Sequence, residues 1–363
     1  MNKNIKKLAA DGLLICPRCK SGLAVTESMR CSGCGQLFPF LGKIPVLLDR
    51  PEERISHWWQ QYLNFVQVQQ QAIAYEKKLI DAPSTYPPFR NRLEAIVRAR
   101  YENMTAVGNM VMPMQELMQE PWVFPRSATK SAFDFTSFLY LIRDWGWDTG
   151  EPEIMCEKVI EILPEQLSVE SLLVLGAGGC RESYILHNYY KCPHTVSVDI
   201  DPCKLMGAET IISGSELNLY QILSNNIRDE QGHVSYWKLR APEEPDNMFH
   251  YILADVRTLP FKESTFQIIF TPFLIDAVGE DFRLFAKRIE HILKPGGYWV
   301  NYGAMNFRPE VAYTGNEILS ILADTGLQVI NKGYSSSPHM APRESCLRQV
   351  FDCLYFLARK DGS

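Results

Sequence analysis

"LLVLGAGGCRESYILHNYYKCPHTVSVDID", Leu172 to Asp201, is the stretch whose reading decides the fold. An apolar run enters a glycine turn, a helical pattern follows, and a second apolar run ends in acid. Gly176-Ala177-Gly178 makes a turn tight enough to bring backbone N–H groups against a ligand where a helix begins. Alone, such a turn is a weak signal. Asp199 sharpens it, because an acid about 20 residues on, closing the second apolar run, can accept hydrogen bonds from ribose hydroxyls. The pair asks for a nucleoside, and it suits a dinucleotide and S-adenosylmethionine equally.

Working outward, further short apolar runs fall at Tyr251–Ala254, Phe266–Phe270, Tyr298–Tyr302, Leu327–Gly333 and Cys353–Arg359, with helical patterns between most of them. Together with Leu172–Leu175 and Thr195–Val198 they predict an α/β unit over residues 166–363, Rossmann-like, with a mostly parallel seven-stranded sheet. The chain of 363 residues is 46% hydrophobic and 22% charged, ordinary for a soluble protein of about two domains. No apolar run approaches the ~18 residues of a membrane span, and the start MNKNIKKLAA lacks the apolar core of a signal peptide. A cytoplasmic protein without a membrane partner is expected. With a formal net charge of -5 and no basic block to offset it, a nucleic-acid partner is disfavoured. Oligomeric state cannot be read from these residues.

Four of the ten cysteines lie in "CPRCKSGLAVTESMRCSGCGQLFPFLGKIPVLL", residues 16–48. Cys16, Cys19, Cys31 and Cys34 form two knuckles, each turning two thiolates toward one point. Four thiolates satisfy tetrahedral Zn²⁺ and leave no open position for water or substrate, so the expected role of the metal is structural. Metal binding would supply folding energy that so small a module cannot draw from its core, and chelation is expected to unfold it while sparing the larger domain. The segment resembles the zinc-ribbon family that includes activator subunits of tRNA methyltransferases, over roughly residues 10–50. The ribbon is assigned residues 1–51.

Residues 52–165 read as an α-helical cap or linker. "ISHWWQQYLNFVQVQQQAIAYEKKLI" predicts one long helix, broken at the proline-marked Asp81–Asn91. "RLEAIVRARYENMTAVGNMVMPMQELM" predicts a second, interrupted at Gly108 and Pro113.

Two later motifs choose between the candidate nucleosides. "ILADVRTLPF" ends the third strand in Asp255, where class I methyltransferases place an acid for the adenine amino group. "HILKPGGYWV" carries the Leu293–Gly297 turn that precedes their fifth strand. The order Gly-x-Gly, Asp, Asp, Lys-Pro-Gly-Gly resembles a class I S-adenosylmethionine-dependent methyltransferase. Two positions depart from that pattern: Cys180 stands for the third glycine, and Val174 for the acid before the first.

Over residues 138–363 the resemblance narrows to carnosine N-methyltransferases. "RDWGWDTGEPE" (Arg143 to Glu153), "VLGAGGCR", "TPFLIDAV" (Thr271 to Val278), "KPGGYWVNYGAM" and "FDCLYFLARK" are similar to that family's motifs, in its order. The resemblance implies cofactor contacts from Arg143, Gly176, Ala177, Gly178, Arg181, Asp199, Asp255, Val256 and Thr271. It implies that Asp276 touches the acceptor's imidazole. A carboxylate there would accept one ring N–H and leave the other nitrogen's lone pair for the methyl group; the plainer alternative is a helix cap. The family's pocket histidine falls on Arg308 and its two tyrosines near Gln349 and Phe351, so these three are the candidate substrate-binding positions that have changed. His187, His291 and His339 are read as surface or satisfied core residues.

The expected activity is therefore N-methylation of an imidazole in a small molecule or peptide, using S-adenosylmethionine. An rRNA or tRNA base methyltransferase and a non-catalytic scaffold are the alternatives.

Overall fold

The computed structural model describes residues 3–10, 12–25, 28–119, 135–230, 232–246 and 248–362. Helix α1 (Lys3–Ala10) leads into a three-stranded antiparallel sheet of β1 (Leu23–Val25), β2 (Met29–Cys31) and β3 (Leu37–Phe38). Strands β4 (Phe40–Leu41) and β5 (Ile44–Leu47) follow and belong to a different sheet. Helices α2 (Pro51–Asp81), α3 (Pro87–Met110), α4 (Met112–Gln119), α5 (Leu139–Trp145) and α6 (Glu151–Ile162) come next. The predicted long helix and its break are present. Gly108 does not interrupt α3: its bare Cα lets the helix approach α2, where a Cβ would stand 3.0 Å from the Tyr62 hydroxyl. Pro113 sits in the first turn of α4, where a missing N–H breaks no helical bond. Residues 120–134 of the predicted helical region lie outside the described residues.

All seven strands expected in the α/β unit form: β6 (Ser171–Leu175), β7 (His194–Asp199), β10 (Met248–Ala254), β11 (Phe266–Pro272), β12 (Leu293–Gly303), β13 (Leu327–Pro338) and β14 (Val350–Lys360). Between them run α7 (Arg181–Tyr190), α8 (Pro202–Ile212), α9 (Phe282–Ile292) and α10 (Gly315–Asp324), plus a separate hairpin of β8 (Leu217–Ile222) and β9 (Val234–Leu239). Among the described residues the sheet has nine strands, not seven, in the order β13-β14-β12-β11-β6-β7-β10-β5-β4. The added strands come from the N-terminal segment. β5 pairs in parallel with β10, Val46 opposite Leu253 and Leu47 opposite Ala254, and β4 turns back on it. Ile44–Leu47 is buried along its whole length, so its apolar residues find a second sheet rather than the small ribbon.

β6 shows why the sheet is central. Leu172 and Val174 face one apolar cluster, with Trp58, Val107 and Leu205. Leu173 and Leu175 face the other, with Ile5, Phe285 and Ile318. A strand buried on both faces reads as a continuous apolar run, as this one does. Across the sheet, Lys294–Gly297 bulges out of β12, which accounts for the register slip between Phe266 and Ile268 on β11.

One core residue sets a pH limit. His250 on β10 is fully buried, and among the described residues neither ring nitrogen has a hydrogen-bond partner. Burial, with His194 and His187 adding, pushes it down to about 4 from the ordinary 6.5. The unfolded chain then binds a proton that the folded one refuses, so stability holds above 6.5 and falls as pH drops toward 4. His250→Leu is expected to flatten that fall, which melting curves between pH 7 and about 4.5 would measure. An unaltered acid slope would exclude His250 as its source.

Candidate cofactor and acceptor site

The glycine turn lies at the carboxyl end of β6, with α7 starting after it, where ligands bind in open α/β sheets. Gly176 and Gly178 have φ of +71° and +54°, angles that favour glycine. Cys180 shares that region at φ 60° although it carries a side chain, which is fully buried. The departure noted in the sequence therefore sits where glycine would cost least.

The N–H groups of this turn are already spent. Those of Gly176 and Ala177 bind the Val198 carbonyl, at 2.9 and 3.0 Å. Gly178 donates to Asp199 at 2.8 Å and Gly179 to Asp144 at 3.0 Å. Two carboxylates thus occupy the donors that would otherwise cradle a pyrophosphate, and they would repel one. This donor set fits S-adenosylmethionine, which carries a positive sulfonium, and disfavours a dinucleotide.

A cavity of about 320 Å³ opens above the turn. Arg143, Gly176, Ala177, Gly178, Asp276 and Phe351, all sequence-predicted, line it. Tyr140, Glu182, Lys204, Phe273, Asn306 and His339 join them from outside the predicted set. Arg143 and Asp144 are buried and paired at 2.5 Å, beside Glu182. Lys204 sits over the Tyr140 ring, 4.1 Å from its centroid.

In the same cavity lining, Phe273, His339 and Phe351 form a wall of three rings with centroids 5.1 to 6.4 Å apart. His339 corrects the reading of that residue as an incidental histidine. Its segment is held by Glu151, which accepts the N–H groups of Met340 and Ala341 at 3.1 Å each. Burial, then Arg143, pushes its imidazole down to about 4, so it is neutral at physiological pH. His187 is a satisfied core residue, bonded to Thr195 and the Asp246 carbonyl. His291 lies exposed at the end of α9.

Asp276 accepts the Asn306 N–H at 2.8 Å, and burial raises its carboxyl against that bond. It does not cap α9; Asp281 does, accepting the Arg283 N–H at 2.9 Å. Other predicted residues stand apart from the cavity lining. Asp199 braces the turn, its second oxygen taking the Asp201 N–H at 2.8 Å. Burial alone would raise the Asp255 carboxyl, but its hydrogen bonds from Arg257 hold it below the usual range. Val256 follows it in a 3-10 turn. Thr271 is buried between Asn301 and Trp299. Arg181 pairs with Glu153 at 2.9 Å and covers the Trp145 ring. Arg308 and Gln349 are exposed, the former packed over Gly279.

The four predicted sulfur ligands do converge. Their Sγ atoms lie within 4.8 Å of one another, Cys16 to Cys34 at 3.8 Å and Cys19 to Cys31 at 3.3 Å. The N–H groups of Gly33 and Cys34 donate to the Cys31 sulfur at 3.3 and 3.4 Å and fix its position in the cluster.

Fold and site together define a class I S-adenosylmethionine-dependent methyltransferase. The chain belongs to the carnosine N-methyltransferase family, whose model matches residues 136–362. No curated protein sequence matches the chain. Among solved structures it is similar to an S-adenosylmethionine-dependent methyltransferase from Methanosarcina mazei, at 15% identity over 57% of this chain and 98% of that one, TM-score 0.39. A chain from the complex of a Haloferax volcanii methyltransferase activator with a putative methyltransferase is similar at 13% identity, over 64% and 100%, TM-score 0.42. The N-methyltransferase NodS from Bradyrhizobium japonicum is similar at 14%, over 59% and 98%, TM-score 0.39. Among the described residues no helix is long and apolar enough to cross a membrane.

Proposed function

We propose that this methyltransferase N-methylates an imidazole nitrogen of a histidine-like small molecule or peptide, with Asp276 orienting the ring. The observation that carries the reading is the Asp276 carboxylate on the same cavity as the three-ring wall and the cofactor turn. Bound S-adenosylmethionine supplies a methyl group on an excellent leaving group, so the protein's task is alignment and exclusion of water. Asp276 accepts one ring N–H of the acceptor, which leaves the other nitrogen with its lone pair toward the methyl. Phe273, His339 and Phe351 offer that flat ring an apolar seat. Because His339 is neutral, it adds no further cation beside Arg143, Lys204 and the sulfonium. Asp199 shapes the turn and, on this reading, accepts from the ribose, while Asp255 serves the adenine.

Incubation with methyl-labelled S-adenosylmethionine and histidine, carnosine, histidine-containing peptides or rRNA tests the reading. Label is expected in the imidazole compounds; label in rRNA alone would replace it. At about 100 times its dissociation constant, S-adenosylmethionine should stabilise the protein by about 2.7 kcal/mol, visible as a melting shift. Asp199→Ala should lose most of that shift, since it removes both the brace on Gly178 and the ribose acceptor. A shift with NAD in place of S-adenosylmethionine would end the cofactor assignment.

We also propose that Cys16, Cys19, Cys31 and Cys34 hold one structural Zn²⁺. Four sulfurs at about 2.3 Å from a tetrahedral ion stand about 3.8 Å apart, close to the spacings of this cluster. Metal analysis of protein purified without chelator should give one zinc per chain, and a value near zero would refute the site.

A further inference from the structure

Glu182, in the first turn of α7, is an acid of the cavity that the sequence did not flag. It is 2% exposed, yet it lines the cavity. Its nearest cation is Arg143, at 3.6 Å, too far for a hydrogen bond. Arg143 is committed elsewhere: its Nε and Nη2 lie 2.6 and 2.5 Å from Asp144 Oδ1. The other Asp144 oxygen takes the Gly179 N–H at 3.0 Å. Asp144 is therefore the structural counter-ion of Arg143, and Glu182 is a second buried carboxylate beside a cation already matched. Such a group is costly unless something pairs with it.

Among the described residues the charged surroundings are few. Arg143 and Asp144 face Glu182 from α5, Glu153 and the Cys156 thiol from α6, and Cys180 from the turn before α7. Glu151 faces Arg143 from the start of α6, and Lys204 lines the same cavity from α8, tied to Asp201 at 3.9 Å. Burial raises the Glu182 carboxyl to about 7, Asp144 adding and Arg143 and the hydrogen bond from its own backbone N–H opposing.

We propose that Glu182 receives the α-ammonium of S-adenosylmethionine while Arg143, whose Nη1 Asp144 does not engage, takes its α-carboxylate, so that the pair clamps the amino-acid end of the cofactor. The inference rests on the cofactor reading above and adds to it the residue that selects the methionine zwitterion. An ammonium beside Glu182 favours its anion, so a protonated Glu182 must lose its proton when the cofactor enters. Affinity for the cofactor then falls as pH drops below about 7, and it falls again above about 8, where the cofactor's α-amino group loses its own proton.

The test compares two ligands by titration calorimetry on the full chain. S-adenosylmethionine carries the amino-acid end; 5′-methylthioadenosine keeps the nucleoside and thioether and lacks that end. Glu182→Gln preserves shape, and it should weaken S-adenosylmethionine by roughly 10- to 150-fold, the worth of a charge-assisted hydrogen bond. Binding of 5′-methylthioadenosine should be unchanged, which also shows that the variant is folded. The wild-type loss of affinity from about pH 7 down to about pH 6 should vanish in the variant. Equal weakening of both ligands, weakening of neither, or a pH-independent wild type overturns the inference. A wild type that binds neither ligand overturns the cofactor reading itself, a distinguishable failure.

Discussion

Cys31→Ser, or removal of the proposed zinc by a strong chelator, should lower the main unfolding transition of the whole protein. The sequence alone suggests that a ribbon would melt by itself and spare the larger domain. The structure changes that expectation, because the N-terminal segment contributes β5 to the main sheet beside β10. The ribbon also brackets the loop after Asp255: the Ile15 N–H binds the Pro260 carbonyl at 2.9 Å, and the Lys262 N–H binds the Leu13 carbonyl at 3.0 Å. Val46, Leu48 and Trp58 share one core cluster with Leu172 and Val174. Arg54, just beyond the ribbon, reaches within 4.0 Å of Asp255. Structural zinc in small modules is worth about 10–16 kcal/mol to folding, and a domain's whole stability is about 5–15. Losing even a third of the former would be felt throughout. Calorimetry should show one transition moved to lower temperature, with cofactor affinity reduced alongside it. A separate low-temperature ribbon transition with the main peak unmoved would contradict this coupling.

What the sequence could show follows from what is local. Alternating apolar runs and the Gly176–Gly178 turn are short-range signals, so all seven expected strands appear. The Cys-x2-Cys spacing is equally local, and its sulfurs converge. What escaped it depends on tertiary placement. β5 reads as a ribbon strand until the edge of β10 is there to receive it. The hairpin β8–β9 carries mixed polar residues, as a half-exposed pair does, and gives a weak pattern. His339 lies 63 residues beyond Asp276 and reaches the cavity only because β13 and β14 deliver it there. Glu182 follows the glycine turn by a few residues and could have been suspected as an acid in the first turn of a helix, where acids are ordinary. Its burial makes it unusual, and burial is not written in one residue's neighbours.

Asp276→Asn should cut methyl transfer by roughly 10- to 150-fold while leaving cofactor affinity nearly intact. The amide oxygen can still accept the Asn306 N–H, so the loop keeps its anchor. α9 keeps its cap, which is Asp281. What is lost is the charge that favours an N–H on the far side of the acceptor ring and steadies the ring as it becomes cationic. The loss should appear in kcat/KM for the acceptor, with the cofactor's Kd within about twofold of wild type. The wild type should also lose activity at acidic pH, since burial raises the Asp276 carboxyl and its protonated form cannot accept in the same way. Normal turnover by the variant would return Asp276 to a structural role.

The most direct measurement is the position of the transferred methyl. Product from ¹³C-methyl-labelled S-adenosylmethionine and the best imidazole acceptor, analysed by mass spectrometry and NMR, should carry one labelled carbon bonded to a ring nitrogen. A methyl on an amine, an oxygen, a carbon or a nucleobase would contradict the account of this pocket.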